Sequence, residues 1–186
     1  MADERRPRHT GCWMMTVADV LCVLDLLDAA GIAAWVDGGW AVDALLGEQT
    51  REHDDLDLAV SIHDEAAYRA VMEAAGFRLW RDDGPANWVV ADERGRKVDV
   101  HLVDFEGRTV RDGRVYYGER GILYDVGSLD GEGVIAGRKV RCPLPAFLVR
   151  WHTGYAHDAD DVHDVLALCA RFGIPVPGQY RDEPSA

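Results

Sequence analysis

The stretch WVDGGWAVDALLGEQTREHDDLDLAV, from Trp35 to Val60, constrains the fold more than any other part of the chain. It holds a short apolar run, the pair Gly38–Gly39 and a short helical segment. Arg51 and His53 follow, then Asp54, Asp55 and Asp57 among strongly apolar neighbours. In a strand, residues two apart share a face. Asp55 and Asp57 therefore point one way while Leu56 and Leu58 point into a core, and Asp54 faces opposite as a structural residue. Two close carboxylates repel each other, and burying them unpaired is costly. A bound cation relieves both penalties. Paired carboxylate oxygens suit Mg²⁺, which keeps several waters and accepts substrate phosphates as further ligands. A Gly-Gly turn opening a helix lets backbone N–H groups approach a phosphate at the positive end of the helix dipole. Taken singly, the D-x-D pair fits a solvated edge strand and the glycines fit a plain turn. The combination points to a triphosphate site.

The rest of the chain fits a mixed sheet covered by helices. TVADVLCVLDLLDAAG repeats apolar residues at helical spacing, with Thr16 as cap and Gly31 as terminator. IAAWVD predicts a short buried strand, GWAVDALLG a short helix, LDLAV a second strand, and HDEAAYRAVMEAAG a helix stopped by Gly76. FRLWR, NWVVAD and KVDVHLVDF predict further strands, and in the last of these Asp99 and His101 share a face. The segment from Gly107 to Gly133 is glycine-rich and shows no clear period. GVIAGRKVRC predicts a hairpin turning at Ala136–Gly137. LPAFLVRWHTGYAH and ADDVHDVLALCARFG predict two final helices. The expected fold class is α/β with an α+β mixed sheet. The expected organisation is a disordered N-terminus over 1–15, a core domain over 16–142, a helical region over 143–178 and a tail over 179–186.

Composition narrows the function. The formal net charge is −13, from 20 basic and 33 acidic residues. That sign argues against a nucleic-acid groove, which needs a basic stripe. It suits a cationic small molecule or bound divalent metal, and it also suits a merely soluble acidic surface. Cys12, Cys22, Cys142 and Cys169 form no C-x-x-C pair. The opening MADERRPRH lacks the apolar run of a signal peptide. No segment reaches the roughly 18 apolar residues of a membrane span. The expectation is a reduced, cytoplasmic protein with no nucleic-acid or membrane partner.

The joint pattern of strand, Gly-Gly, short helix, Arg51 loop and D-x-D strand resembles the nucleotidyltransferase superfamily typified by DNA polymerase β. Within it, the chain is most similar to the antibiotic nucleotidyltransferases, namely the lincosamide nucleotidyltransferases and the aminoglycoside 2″-adenylyltransferases. The resemblance is dense over Trp35–Val60. It recurs at VDVH (Val98–His101), at GVIAGRKVRC (Gly133–Cys142) and at RWHTGYAHDADDVHDVLAL (Arg150–Leu168). The implied fold is a polymerase-β-like nucleotidyltransferase core followed by a C-terminal helical region.

The resemblance also implies roles. Gly38 and Gly39 would form the phosphate turn. Asp55 and Asp57 would hold two Mg²⁺ ions bridging the nucleotide phosphates. Asp99 matches the third family carboxylate, as metal ligand or as general base for the attacking hydroxyl. A cation near a leaving pyrophosphate offsets developing charge, which suggests Arg51 as a nucleotide contact; an ion pair is its structural alternative. His53 would either touch phosphate or cap the turn, and Asp37 and Asp43 would either line the site or cap a helix. Trp151, His152, Tyr155 and Asp160 are acceptor-side candidates, and His101 joins them. Trp151 and Tyr155, four apart, also fit a core stripe.

The implied reaction transfers AMP from ATP, or a nucleoside monophosphate from another nucleoside triphosphate, to a hydroxyl of a lincosamide or aminoglycoside. The wording of the C-terminal motif leans to lincosamides, whereas the acidic charge suits polycationic aminoglycosides. A homodimer is left open. One alternative is a nucleotidyltransferase-fold toxin acting on a protein or an RNA end, although acidic charge weighs against RNA. Another is an idle nucleotide-binding module, such as half of a toxin–antitoxin pair. That module would have no chemical need for three carboxylates.

Overall fold

The computed structural model describes residues 14–181. Most of the segment expected to be disordered, 1–15, and most of the expected tail, 179–186, lie outside that range. Met15, at the edge of the expected disorder, is buried, and its N–H donates to the His53 carbonyl at 2.8 Å.

The first helix, α1 (Val17–Ala29), begins with a capping box in which Thr16 and Asp19 each bond the other's backbone N–H. Next come β1 (Ala34–Asp37), α2 (Gly38–Leu46), β2 (Leu56–Ser61) and α3 (Glu65–Ala74). They are followed by β3 (Arg78–Asp82), β4 (Asn87–Ala91), β5 (Lys97–Arg111) and β6 (Arg114–Gly118). The chain continues through β7 (Gly131–Ile135), β8 (Arg138–Cys142), α4 (Pro145–Trp151) and α5 (Ala159–Phe172). The eight strands form one mixed sheet in the order β3-β4-β5-β2-β1-β8-β7, with β6 paired to the far end of β5. This is the expected mixed α/β class.

Strand alternation divides the sheet into two faces. Leu56, Leu58, Val60, Val98, Val100 and Leu102 point to one face and join Val20, Val23 and Leu27 of α1 and Tyr68 and Met72 of α3 in the main core. Burying each such side chain fully is worth roughly 1.5–3 kcal/mol. The opposite face carries Trp35, Asp37, Asp57, Asp99 and His101 in its central strands. Tyr117, Tyr124 and Leu129 cover part of it as a second, smaller apolar cluster with Ala59 and Val103. Helix α5 packs on α2 and α4.

One unassigned segment gains its elements, and one expected helix is shortened. The segment without a clear period contains the end of β5, a tight turn at Asp112–Gly113 with φ of +49° and +74°, and β6. Those angles suit a type I′ hairpin turn, the geometry that Asp-Gly favours. The helix expected over LPAFLVRWHTGYAH stops at Trp151. The Thr153 hydroxyl bonds back to the Arg150 carbonyl at 2.6 Å, and Gly154 turns left-handed at φ +94°. Asp158 then caps α5 in a second capping box with Asp161. The hairpin expected at Ala136–Gly137 is present, pairing Ile135 with Arg138.

Cys22, Cys142 and Cys169 are free thiols, while Cys12 lies outside the described residues. Among the described residues, no helix is long and apolar enough to cross a membrane.

Candidate active site

The site forms where three central strands present carboxylates in one row. Asp37 ends β1 opposite Asp57 of β2, and Asp57 lies opposite Asp99 of β5. Cross-strand partners share a face, so all three project together, and Asp55 is two residues before Asp57 on the same side. His101, two residues beyond Asp99, completes the group. One donor atom each from Asp57, Asp99 and His101 lies within 4.8 Å of the others.

Local backbone chemistry fixes this arrangement. Asp37 caps α2 by accepting the Gly38 N–H at 2.9 Å. Gly38 turns the chain at φ +56°, and a Cβ there would stand 2.1 Å from Oδ2 of Asp57. Glycine is therefore required twice, for conformation and for space. At Gly39 a Cβ would meet an Arg51 guanidinium nitrogen and the His53 Nδ1, each at 2.5 Å. The glycine pair thus lets the D-x-D strand, Arg51 and His53 close against the start of α2.

Asp37 has both of the roles left open for it. Besides capping α2, its Oδ2 accepts the Tyr124 hydroxyl at 2.5 Å, and Tyr124 lies 2.9 Å from His101 Nδ1. Burial favours the protonated Asp37 carboxyl, but bonds with His101, Tyr124 and the Gly38 N–H outweigh burial and hold it below the usual carboxylate range. Asp57 is in the opposite position. Burial beside Asp55 pushes it up to about 8, against the pull of His101. Asp55 is raised by burial, only partly offset by Lys97. Asp99 is raised by burial as well, although His101, Asn87 and Arg81 oppose this. Asn87 donates to Asp99 Oδ1 at 2.5 Å, and Arg81 donates to its Oδ2 at 3.1 Å. Among the described residues, no hydrogen bond reaches the carboxylates of Asp55 or Asp57. Half-buried carboxylates short of donors, beside a third carboxylate, fit a divalent cation with oxygen ligands.

The remaining candidates divide. Arg51 forks onto Asp164 of α5, with Nε–Oδ1 at 2.9 Å and a second bond at 2.7 Å, and also reaches Asp160 at 3.2 Å. The ion-pair alternative is therefore realised, with one guanidinium nitrogen still against Gly39. His53 is buried, with Nε2 at 2.5 Å from Asp43 and its ring on Trp40. Asp43 also accepts from the Thr50 N–H and hydroxyl. This geometry favours the alternative in which His53 and Asp43 hold the loop. Trp151 stacks edge-on against Tyr124, with ring centroids 5.1 Å apart, and so borders the site. His152 bonds the Leu148 carbonyl, and the Tyr155 hydroxyl donates to Asp161 at 2.9 Å. With α4 ending at Trp151, Tyr155 does not share a helical stripe with it. The structure groups His101 with the carboxylates rather than with these residues.

Sequence reasoning missed Tyr124, Arg81 and Asn87. Tyr124 lies in the segment without a period. Asn87 could have been found, because a strand partner of β5 at that register must carry a side chain on the Asp99 face.

Comparisons with known proteins show the family. A 2″-aminoglycoside nucleotidyltransferase of Escherichia coli is 34% identical over 146 residues, covering 77% of this chain and 74% of that protein. A lincosamide resistance protein of Staphylococcus haemolyticus is 25% identical over 156 residues, covering 83% and 94%. In structure, the chain is similar to a lincomycin-bound lincosamide antibiotic adenylyltransferase, with a TM-score of 0.71 at 23% identity, covering 83% of this chain and 97% of that one. It is also similar to ANT(2″)-Ia in complex with adenylyl-2″-tobramycin, with a TM-score of 0.67 at 23% identity, covering 84% and 89%. The fold is thus that of the polymerase-β-like nucleotidyltransferases. A family profile described as aminoglycoside-2″-adenylyltransferase matches residues 19–168, and the chain belongs to that family of nucleotidyltransferases.

Proposed function

We propose that this protein is a Mg²⁺-dependent adenylyltransferase that moves AMP from ATP to a hydroxyl of a lincosamide or aminoglycoside, with release of pyrophosphate. The observation that carries the reading is the row Asp37–Asp57–Asp99 across β1, β2 and β5, with Asp55 beside it and Gly38 packed against Asp57.

Asp55, Asp57 and Asp99 would hold the metal, which when bound neutralises phosphate charge and polarises the α-phosphate. The turn at Gly38 and Gly39 lies at the N-terminus of α2, where phosphate oxygens find backbone donors and a favourable dipole. Asp99 takes the acceptor's hydroxyl proton. Its raised affinity for protons suits a general base. Asn87 and Arg81 fix its two oxygens, so the carboxylate is preset before substrate arrives. Arg51, against Gly39, adds positive charge on the phosphate side. Trp151 offers an aromatic wall to the acceptor next to Tyr124. ATP as donor accords with the expected cytoplasmic location.

Pyrophosphate release measured with a panel of lincosamides and aminoglycosides tests the reading directly. Release dependent on Mg²⁺ and on one antibiotic class is expected. Release that no hydroxylated antibiotic stimulates, but that a protein or RNA acceptor does, would replace it.

A further inference from the structure

We propose that His101 is a nitrogen ligand of the divalent cation held at Asp57 and Asp99, with its ring set for that task by Tyr124 and Asp37. This rests on the metal-dependent reading above.

The two ring nitrogens face different surroundings. Nδ1 lies 2.9 Å from the Tyr124 oxygen, while Nε2 lies 3.6 Å from Asp99 Oδ1. The protons can be counted. Tyr124 has one hydroxyl proton, and at 2.5 Å it goes to Asp37 Oδ2, because a carboxylate can only accept. The Tyr124 oxygen must then accept from His101, which puts the imidazole proton on Nδ1. In the metal-free fold the surrounding carboxylates also favour a proton on Nε2; a bound cation would displace that proton and take the lone pair, leaving the Nδ1 proton on Tyr124. A separation of 3.6 Å exceeds a good hydrogen bond. It is close to the spacing of about 3 Å between adjacent ligands that each bind a cation at about 2.1 Å. One donor atom each from Asp57, Asp99 and His101 also lies within 4.8 Å of the others, close enough for the three to share one cation.

Histidine ligands commonly donate their second N–H to a carboxylate or another fixed acceptor, which sets tautomer and ring orientation. Here that chain runs His101–Tyr124–Asp37, and Asp37 is itself anchored by the Gly38 N–H. The chemical consequence is a change in metal preference. Oxygen-only sites suit Mg²⁺, while an imidazole adds affinity for Mn²⁺ and Co²⁺. The site would therefore favour Mn²⁺ over Mg²⁺ more strongly than a purely carboxylate site does.

The test uses the full chain with Mn²⁺ and inorganic tripolyphosphate, which contains no nitrogen. Pulsed electron paramagnetic resonance on the bound Mn²⁺ is expected to show ¹⁴N coupling that converts to ¹⁵N coupling in protein labelled with ¹⁵N-histidine. His101→Gln should lose the coupling and bind Mn²⁺ roughly tenfold more weakly, with a smaller loss for Mg²⁺. Tyr124→Phe keeps the imidazole and should keep the coupling while weakening Mn²⁺ binding by about tenfold. Mn²⁺ bound by the wild type without nitrogen coupling, or with coupling unchanged in His101→Gln, would overturn the assignment and leave the metal site standing. Failure of the wild type to bind Mn²⁺ would overturn both.

Discussion

Gly38 and Asp57 are in such close contact that a single methyl group on the glycine would overlap the aspartate carboxylate, 2.1 Å from Oδ2. The turn and the D-x-D strand are thus one mechanical unit. We expect Gly38→Ala to cost about 1–2 kcal/mol from the left-handed backbone alone. It should also lower turnover at least about 100-fold, by pushing Asp57 off its position. Thermal unfolding and pyrophosphate release on the same sample measure the two effects. An alanine variant with normal turnover would mean that Asp57 need not stay where it is.

Asp57 carries a stability cost with a definite sign. The carboxyl ionises near 3.8 when unconstrained and is raised to about 8 in the fold, by burial and then by Asp55. Over that window the folded state keeps a proton that the unfolded chain releases, so stability falls as pH rises and the cost is complete above about pH 8. Metal-free Asp57→Asn should therefore melt higher than wild type by roughly several degrees at alkaline pH and by almost nothing near pH 4. The same variant should lose at least about 100-fold in turnover. A melting gain independent of pH would reject this electrostatic explanation.

The shared face of the carboxylate row was legible because strand alternation is a strict rule. Once LDLAV and KVDVHLV are strands, Asp57 and Asp99 must each face away from the valines and leucines beside them. Alternation could not show that β2 and β5 are neighbours in parallel register; the family resemblance supplied the partner. Tyr124 was not legible. Its contact with Asp37 spans 87 positions and comes from a stretch with no period. The overlong final helix is a different case. Thr153, Gly154 and the capping pair Asp158–Asp161 were visible stop and start signals, but the apolar residues on either side masked them. Arg51 was ambiguous for a physical reason, since one guanidinium can serve a carboxylate and lie beside a phosphate turn.

Ala136 occupies the first position of the β7–β8 hairpin turn at φ +48°. A side chain other than Asn or Asp is strained there by roughly 1 kcal/mol. Ala136→Gly relieves the strain but adds freedom to the unfolded chain, so Ala136→Asn is the better choice. We expect about 0.5–1 kcal/mol of added stability by urea denaturation with an unchanged m-value, and unaltered turnover because the turn lies away from the carboxylate row. Loss of stability in Ala136→Asn would mean that the alanine methyl makes a contact worth more than the strain.

Arg51 allows its two roles to be separated. Its partner Asp164 is 2% exposed, and the fork onto it ties the loop before β2 to α5. Arg51→Met leaves that carboxylate buried without its cation and should cost about 3 kcal/mol. Pairing the change with Asp164→Leu removes the orphaned charge and should recover most of the loss, since an apolar pair of similar volume replaces the ion pair. If the bridge were Arg51's only task, the double variant would regain normal kinetics. The guanidinium also lies where a Cβ on Gly39 would stand, 2.5 Å away, at the opening of α2. A triphosphate on that turn would come within reach of its charge. We therefore expect the refolded double variant to lose roughly tenfold or more in kcat/KM for the triphosphate while KM for the antibiotic stays unchanged. Equal losses for both substrates would mean instead that α5 has shifted, and wild-type kinetics would confine Arg51 to holding the loop.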